Sequence, residues 1–272
     1  MSVQRQSPSA APSLLASARV QFRVILALMI RDGQASYTNR TFGFFWTIID
    51  PLILTCGVIL LWTLANQGEG HKGVSIVALA LTAYSHIQLW RLTVLPSIVM
   101  LRTSAWAFYH QNIHIIDVLV AHSLMRSVSI FTSFVVIASV CVLFGVIEPI
   151  RDPGLVVAAW MLDTLFCFCF AVLTAALAAQ SEIVEKLVHP LMYLTLPLTG
   201  AFVMTDWLPP RAKVFMEWVP LANCCEMFRA GVFSLFVKTY WSVPLIVLSS
   251  LFLLAIGLPL LEYARRRFEE AA

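Results

Sequence analysis

Six stretches of this chain are apolar for about the length a helix needs to cross a bilayer, roughly 20 residues: 44–64, 74–90, 123–147, 155–179, 187–204 and 243–263. Inside lipid the backbone must satisfy its own polar groups. Continuous apolar runs without period-two alternation therefore predict helices rather than a barrel. Composition points the same way. The chain is 60% hydrophobic and 12% charged, with a mean hydropathy of +0.83. Soluble domains carry about 25% charged residues, so this chain cannot cover a globular surface with charge, and lipid is its main solvent. The net charge of +3 carries no polyanion-binding signature and argues against a nucleic-acid partner.

The connections support this division. Residues 66–73 form a short polar turn, and 148–154 carry two prolines and a glycine as breakers. The positive-inside rule orients the chain. With both termini in the cytosol, 12 basic residues lie inside and 6 outside, and Arg31, Arg40 and Arg265–Arg267 flank the first and last runs. The predicted organisation is a loose tail over 1–18, a cytosolic interfacial helix over 19–42, a six-span domain over 43–264 and a cytosolic tail over 265–272. Run 74–90 has room to continue as helix past Arg91. Segment 205–241, broken by Pro209-Pro210 and Pro220, is predicted to form re-entrant helices on the outer side. The fold class is an all-α membrane protein with six transmembrane helices, an N-terminal interfacial helix and outer re-entrant helices.

Several chemistries are excluded by pattern. The six cysteines contain no CxxC pair, which argues against a disulfide framework or a zinc site. His110 and His114 have the i, i+4 spacing of a zinc helix, but Gln111 stands where a metalloprotease needs its glutamate base. Neither a phosphate-binding loop of the G-x-x-x-x-G-K-[ST] type nor a G-x-S-x-G elbow occurs. The chain is expected to be neither an ATPase nor another enzyme, and to hold no cofactor or metal of its own.

The remaining polar residues are the candidates for function. Arg19–Arg31 is an imperfect amphipathic helix suited to a membrane surface. Segment 107–117 mixes exposed aromatics with polar residues and suits a partner's groove. Asp163 is a carboxylate inside a span, a functional candidate because its burial is costly. Trp46, Tyr84 and Trp90 join it as possible channel lining, because aromatic faces stack on sugar rings. The aromatic belt also accounts for many of the tryptophans. His189-Pro190 and Pro197 are expected to bend the fifth run. Glu217, Glu226 and Arg229 sit in the re-entrant region, where Glu226 and Arg229 have helical i, i+3 spacing and are expected to pair.

Three blocks of residues resemble the membrane subunits of bacterial ABC-2 polysaccharide exporters, above all the capsule-export permeases. They are Arg31-Asp32 with Arg40–Trp46 and Asp50-Pro51; Phe108-Tyr109 through Asp117 to Arg126; and His189–Leu191 with Leu208-Pro209, Pro220-Leu221 and Glu226–Arg229. The likeness runs from about Arg19 to Arg267. In this chain Asp32 and Asp50 replace the usual glutamates, Val219 precedes Pro220 where asparagine is common, and His110 and His114 replace basic loop residues. The resemblance implies a homodimer in the bacterial inner membrane, joined by two cytosolic ATPase subunits that bind ATP and magnesium. It implies export of a lipid-linked capsular polysaccharide, with periplasmic copolymerase and outer-membrane export proteins as further partners. Arg31, Arg40 and Arg91 would receive the lipid's phosphate, which guanidinium pairs well. Phe108, Tyr109, His110 and Asp117 would couple to the ATPase, and Glu217, Glu226 and Arg229 would form the outer gate. The rival readings are a related permease for O-antigen, teichoic acid, lipid or drug, and an ATP-independent channel or scramblase.

Overall fold

The computed structural model describes residues 14–35, 43–65, 74–103, 114–233 and 237–271. In chain order the helices are α1 (Leu14–Ala35), α2 (Gly43–Ala65), α3 (Ile76–Thr103), α4 (Ile115–Leu143), α5 (Pro153–Gln180), α6 (Glu182–Leu194), α7 (Pro210–Glu217), α8 (Pro220–Val232) and α9 (Val243–Ala271). Two short 3-10 turns, Leu196–Thr199 and Thr205–Trp207, lie between α6 and α7. Among the described residues α4, α5 and α9 are long and apolar enough to cross a membrane, and α2 adds the shorter apolar run Ile49–Leu64.

Proline and acidic caps set the helix starts. Pro153, Pro210 and Pro220 each open a helix, where a missing N–H costs nothing. Asp152 caps α5 by accepting from the Leu155 N–H at 3.0 Å. The prolines that read as breakers therefore also fix where α5, α7 and α8 begin.

Helix α5 is the hub. It packs against α9, α3 and α8 most extensively, while α1 lies on α4 and α2. Glycine permits two of these approaches. A Cβ at Gly231 of α8 would sit 2.7 Å from Val156 Cγ2 and 2.9 Å from Val156 N of α5; one at Gly257 of α9 would sit 3.1 Å from Val172 Cγ1. Hydroxyl contacts join the helices further, as expected where lipid offers no hydrophobic drive. The Trp160 indole donates to Ser127 Oγ at 2.9 Å, and Ser127 meets Thr164 at 2.7 Å, linking α4 to α5. Ser97 of α3 meets Thr174 of α5 at 3.1 Å. Gln88 of α3 donates to the Pro51 carbonyl of α2 at 3.2 Å.

Several boundaries differ from the sequence expectations. Helix α1 begins at Leu14, inside the segment read as tail, and α9 continues through the predicted cytosolic tail to Ala271. Helix α3 uses the room left for it and runs unbroken past Arg91 to Thr103. The fifth run is not one helix: α6 ends at Leu194, Pro197 falls in a 3-10 turn, and Gly200 reverses the chain with φ 69°. Pro190 is carried inside α6, and the break comes after Leu194, where Pro197 withholds an N–H and Gly200 takes a left-handed turn.

Candidate functional site

The most polar assembly in the interior is built on α8. Arg229 and Glu226 are both fully buried. Arg229 Nη1 donates to the Gly200 carbonyl at 2.7 Å, Nη2 donates to the Ala201 carbonyl, and Nε donates to Thr82 Oγ1 at 3.4 Å. Glu226 Oε1 accepts from the Thr205 N–H at 3.0 Å, and Oε2 accepts from the Tyr240 N–H at 3.2 Å. The two charges stand 3.8 Å apart. Each makes its shorter contacts with backbone. The pair therefore staples the α6–α7 connection and the segment before α9 onto α8, with a further hold on α3. The anticipated ion pair exists, and Arg229 is enclosed in the interior rather than carried in an exposed loop.

A second polar group lies one turn along α3. His86 Nε2 faces Asp163 Oδ2 at 3.6 Å, and the Cys167 thiol donates to Asp163 Oδ1 at 3.7 Å. His86 Nδ1 meets the Thr82 carbonyl at 2.9 Å, the same threonine whose hydroxyl meets Arg229. Phe228 packs edge-on against the His86 ring at 4.7 Å, and Trp160 does so at 5.7 Å. This seam crosses α3, α5 and α8.

The surface helix α1 is docked by polar contacts to α4. The Gln21 amide donates to Asp117 Oδ1. His122 Nδ1 lies 3.0 Å from Asp32 Oδ2, while Nε2 lies 3.0 Å from the Leu92 carbonyl of α3. Each ring nitrogen thus faces an oxygen atom, one on α1 and one on α3. Burial raises the Asp32 carboxyl, but the hydrogen bond and charge of His122, with Arg126 and Arg31 nearby, outweigh it and hold the group below its ordinary 3.8.

Asp117 is buried; its Oδ2 accepts from the His114 N–H at 2.9 Å and caps α4. It shapes the end of the predicted coupling loop. Phe108, Tyr109 and His110 lie outside the described residues, as does Arg40, and so does the Trp46 side chain. Arg31 is exposed on α1. Arg91 is half-buried, with Nη2 donating to the Tyr193 hydroxyl at 3.4 Å and its guanidinium 5.3 Å from the centre of that ring. Tyr84 is half-buried on α3. Trp90 and Asp163 are buried within the chain's own helices. Trp90 packs against Phe170 at 4.6 Å and Phe166 at 6.2 Å. Glu217 is partly exposed at the end of α7. Among the described residues no group of His, Cys, Asp and Glu has the arrangement of a metal site.

No protein-family model matches the chain. Individual relatives do. The capsule polysaccharide export inner-membrane protein CtrC of Neisseria meningitidis serogroup B is 30% identical over 242 residues, covering 89% of this chain and 91% of the relative. The chain belongs to this family. A serogroup A CtrC is 30% identical over 246 residues, 90% of this chain and 92% of that one. The capsule polysaccharide export inner-membrane protein BexB of Haemophilus influenzae is 29% identical over 242 residues, 89% and 91%. Membership and the apolar helices make this an inner-membrane export subunit.

The sequence singles out Glu226, Arg229 and Asp117, and the Glu226–Arg229 pair, but not their other partners. Thr82, His86, Gln21, His122 and the Gly200 and Ala201 carbonyls went unremarked. The only textual signal was polarity in apolar surroundings, at His86 and His122 above all.

Proposed function

We propose that the protein is the permease subunit of an ATP-driven exporter that moves lipid-linked capsular polysaccharide across the bacterial inner membrane. The observation that supports this most directly is 30% identity to a capsule polysaccharide export inner-membrane protein along 89% of the chain. In this reading the functional unit is a homodimer with two cytosolic ATPase subunits, which bind the ATP and magnesium. Six spans are formed by α2, α3, α4, α5, α6 with its following 3-10 turn, and α9, with both termini in the cytosol. Helices α7 and α8 are the re-entrant pieces on the outer side. The broad apolar faces left exposed on α2 and α6, including Leu60, Leu61, Leu191 and Leu194, are available to lipid and to the second copy.

The mechanism follows from which pieces are tied together. Nucleotide binding in the partner would press on the segment between α3 and α4, through Phe108, Tyr109 and His110. Asp117 holds the start of α4, so the push would pass into α4 and, through Gln21 and Asp32, into the docked α1. Arg31, Arg40 and Arg91 would receive the phosphate of the lipid carrier, and Arg91 would exchange its contact with Tyr193 for the headgroup. At the far side Glu226 and Arg229 would keep the outer gate a single rigid piece, with Glu217 at its rim.

Deleting the gene in the source strain and restoring it with variants tests this reading. Deletion should abolish surface polymer and trap it inside the cell. Restoration with Arg91→Ala should leave export well below the parent at equal protein level, with Arg91→Lys between them. Normal surface polymer in the deletion strain would refute the function.

A further inference from the structure

The segment between α8 and α9 passes the end of α7 and leaves a cavity of ≈ 610 Å³, lined chiefly by Glu217, Trp218, Thr239, Tyr240, Trp241 and Ser242. This lies within the range of about 300–1,000 Å³ usual for small-molecule sites. Its walls are held in place before any ligand arrives. Asn223 Nδ2 donates to the carbonyls of Glu217 and Val219, both at 2.9 Å, and its Oδ1 accepts from the Ser242 N–H at 2.8 Å. The buried Glu226 carboxylate holds the Tyr240 N–H. The Tyr240 hydroxyl donates to Asp206 at 3.4 Å, and Lys213 Nζ stands 3.5 Å over the Tyr240 ring and 3.6 Å from Asp206.

What remains unengaged defines the ligand. Trp218 is 73% exposed and Trp241 is 40% exposed. Among the described residues the Glu217 carboxylate and the Thr239 and Ser242 hydroxyls make no hydrogen bond within the protein, although Lys213 feels the charge of Glu217. Two flat indoles beside a carboxylate acceptor and two hydroxyls suit a molecule with apolar faces and a rim of hydroxyl donors. An anion is disfavoured, since the lining carries a carboxylate and the nearby Lys213 is already committed. An acyl chain would strand the three polar side chains.

We propose that this cavity is a saccharide subsite, holding a pyranose ring of the exported polymer against Trp218 and Trp241 with its hydroxyls on Glu217, Thr239 and Ser242. It rests on the export reading above, which places this end of α9 on the outer side. A stacking platform at this place would hold a sugar unit between the power strokes of the exporter.

The test uses the protein purified with its copurifying partners in lipid nanodiscs. The probe is oligosaccharide released by mild acid from the surface polymer of the source strain, with tetramethylammonium chloride as competitor. Saturable oligosaccharide binding is expected, insensitive to the competitor. Affinity should fall about tenfold in Trp241→Ala, the loss of one stacking contact, with a similar fall in Glu217→Gln. Trp241→Phe, which keeps a flat face, should retain most of the binding, and matched melting curves would separate lost binding from lost folding. Absent binding, unchanged binding in both variants, or displacement by tetramethylammonium would overturn the proposal; the last would mark a site for ammonium headgroups. If the export reading itself were wrong, the deletion strain would still display polymer. If only this inference were wrong, deletion would abolish display while Trp241→Ala bound and exported like the parent.

Discussion

Replacing Arg229 by methionine should unfold the region around α8 more readily than any single apolar truncation nearby. The guanidinium is fully buried and donates to the carbonyls of Gly200 and Ala201 and to Thr82. Methionine fills most of the volume but leaves those oxygens without a donor and Glu226 without its counter-charge. Removing one partner of a buried charged pair costs about 3–5 kcal/mol. The geometry places this variant at the upper end, because two carbonyls are orphaned along with the carboxylate. Arg229→Lys keeps the charge, yet one ammonium cannot span both carbonyls, so it should lose about 1–3 kcal/mol, the cost of one unsatisfied buried group. In mild detergent the methionine variant should melt on the order of 10 °C below the parent. Hydrogen exchange should rise first at α8 and at Gly200–Thr205. Parent-like melting of Arg229→Met, or Arg229→Lys as damaged as Arg229→Met, would refute the staple.

Gly231→Ala places a methyl 2.7 Å from Val156 Cγ2 and against its backbone nitrogen. It should cost about 1–3 kcal/mol by forcing α8 off α5, read as a drop in melting temperature; an unchanged melt would count against the close α5–α8 approach. His122→Leu should free α1 from α4, seen as faster proteolysis within 14–35 while the remaining helices stay protected. Unaltered cleavage of α1 would show that the apolar contacts alone suffice. Asp32 adds a pH test. Its carboxyl is held below 3.8, so its contribution is present above that value and lost only as pH falls through the lower folded value; α1 should remain docked at about pH 5, and release there would contradict the assignment. Asp117→Ala removes the cap of α4 and should cost about 0.5–2 kcal/mol, with Asp117→Asn milder. Equal melting of both variants and the parent would remove Asp117 from the start of α4.

Much of the helical content was readable because apolar runs and breakers are local signals. The boundaries of α2 and α5 fall within two residues of the expected runs. Apart from the broken fifth run, boundaries differ chiefly where a helix continues beyond its apolar stretch. Arg265 does not end α9, as Arg91 was not expected to end α3, since charged residues are good helix formers outside lipid. The sites were less legible. Arg229 reads as an outside charge until the carbonyls of Gly200 and Ala201, nearly thirty residues earlier, are seen to receive it. The Asp32–His122 contact joins residues 90 apart. Uniformly apolar helices also hide which face is buried, so Trp90 and Asp163 looked as available to a channel as to the core.

The most direct test of the central claim is stoichiometry. The tagged protein would be drawn gently from its native membranes, and its companions counted by intact mass spectrometry. The account predicts two copies of this chain with two copies of a soluble ATPase subunit, and ATP hydrolysis that depends on both. Recovery as a homo-oligomer without any ATPase would contradict it.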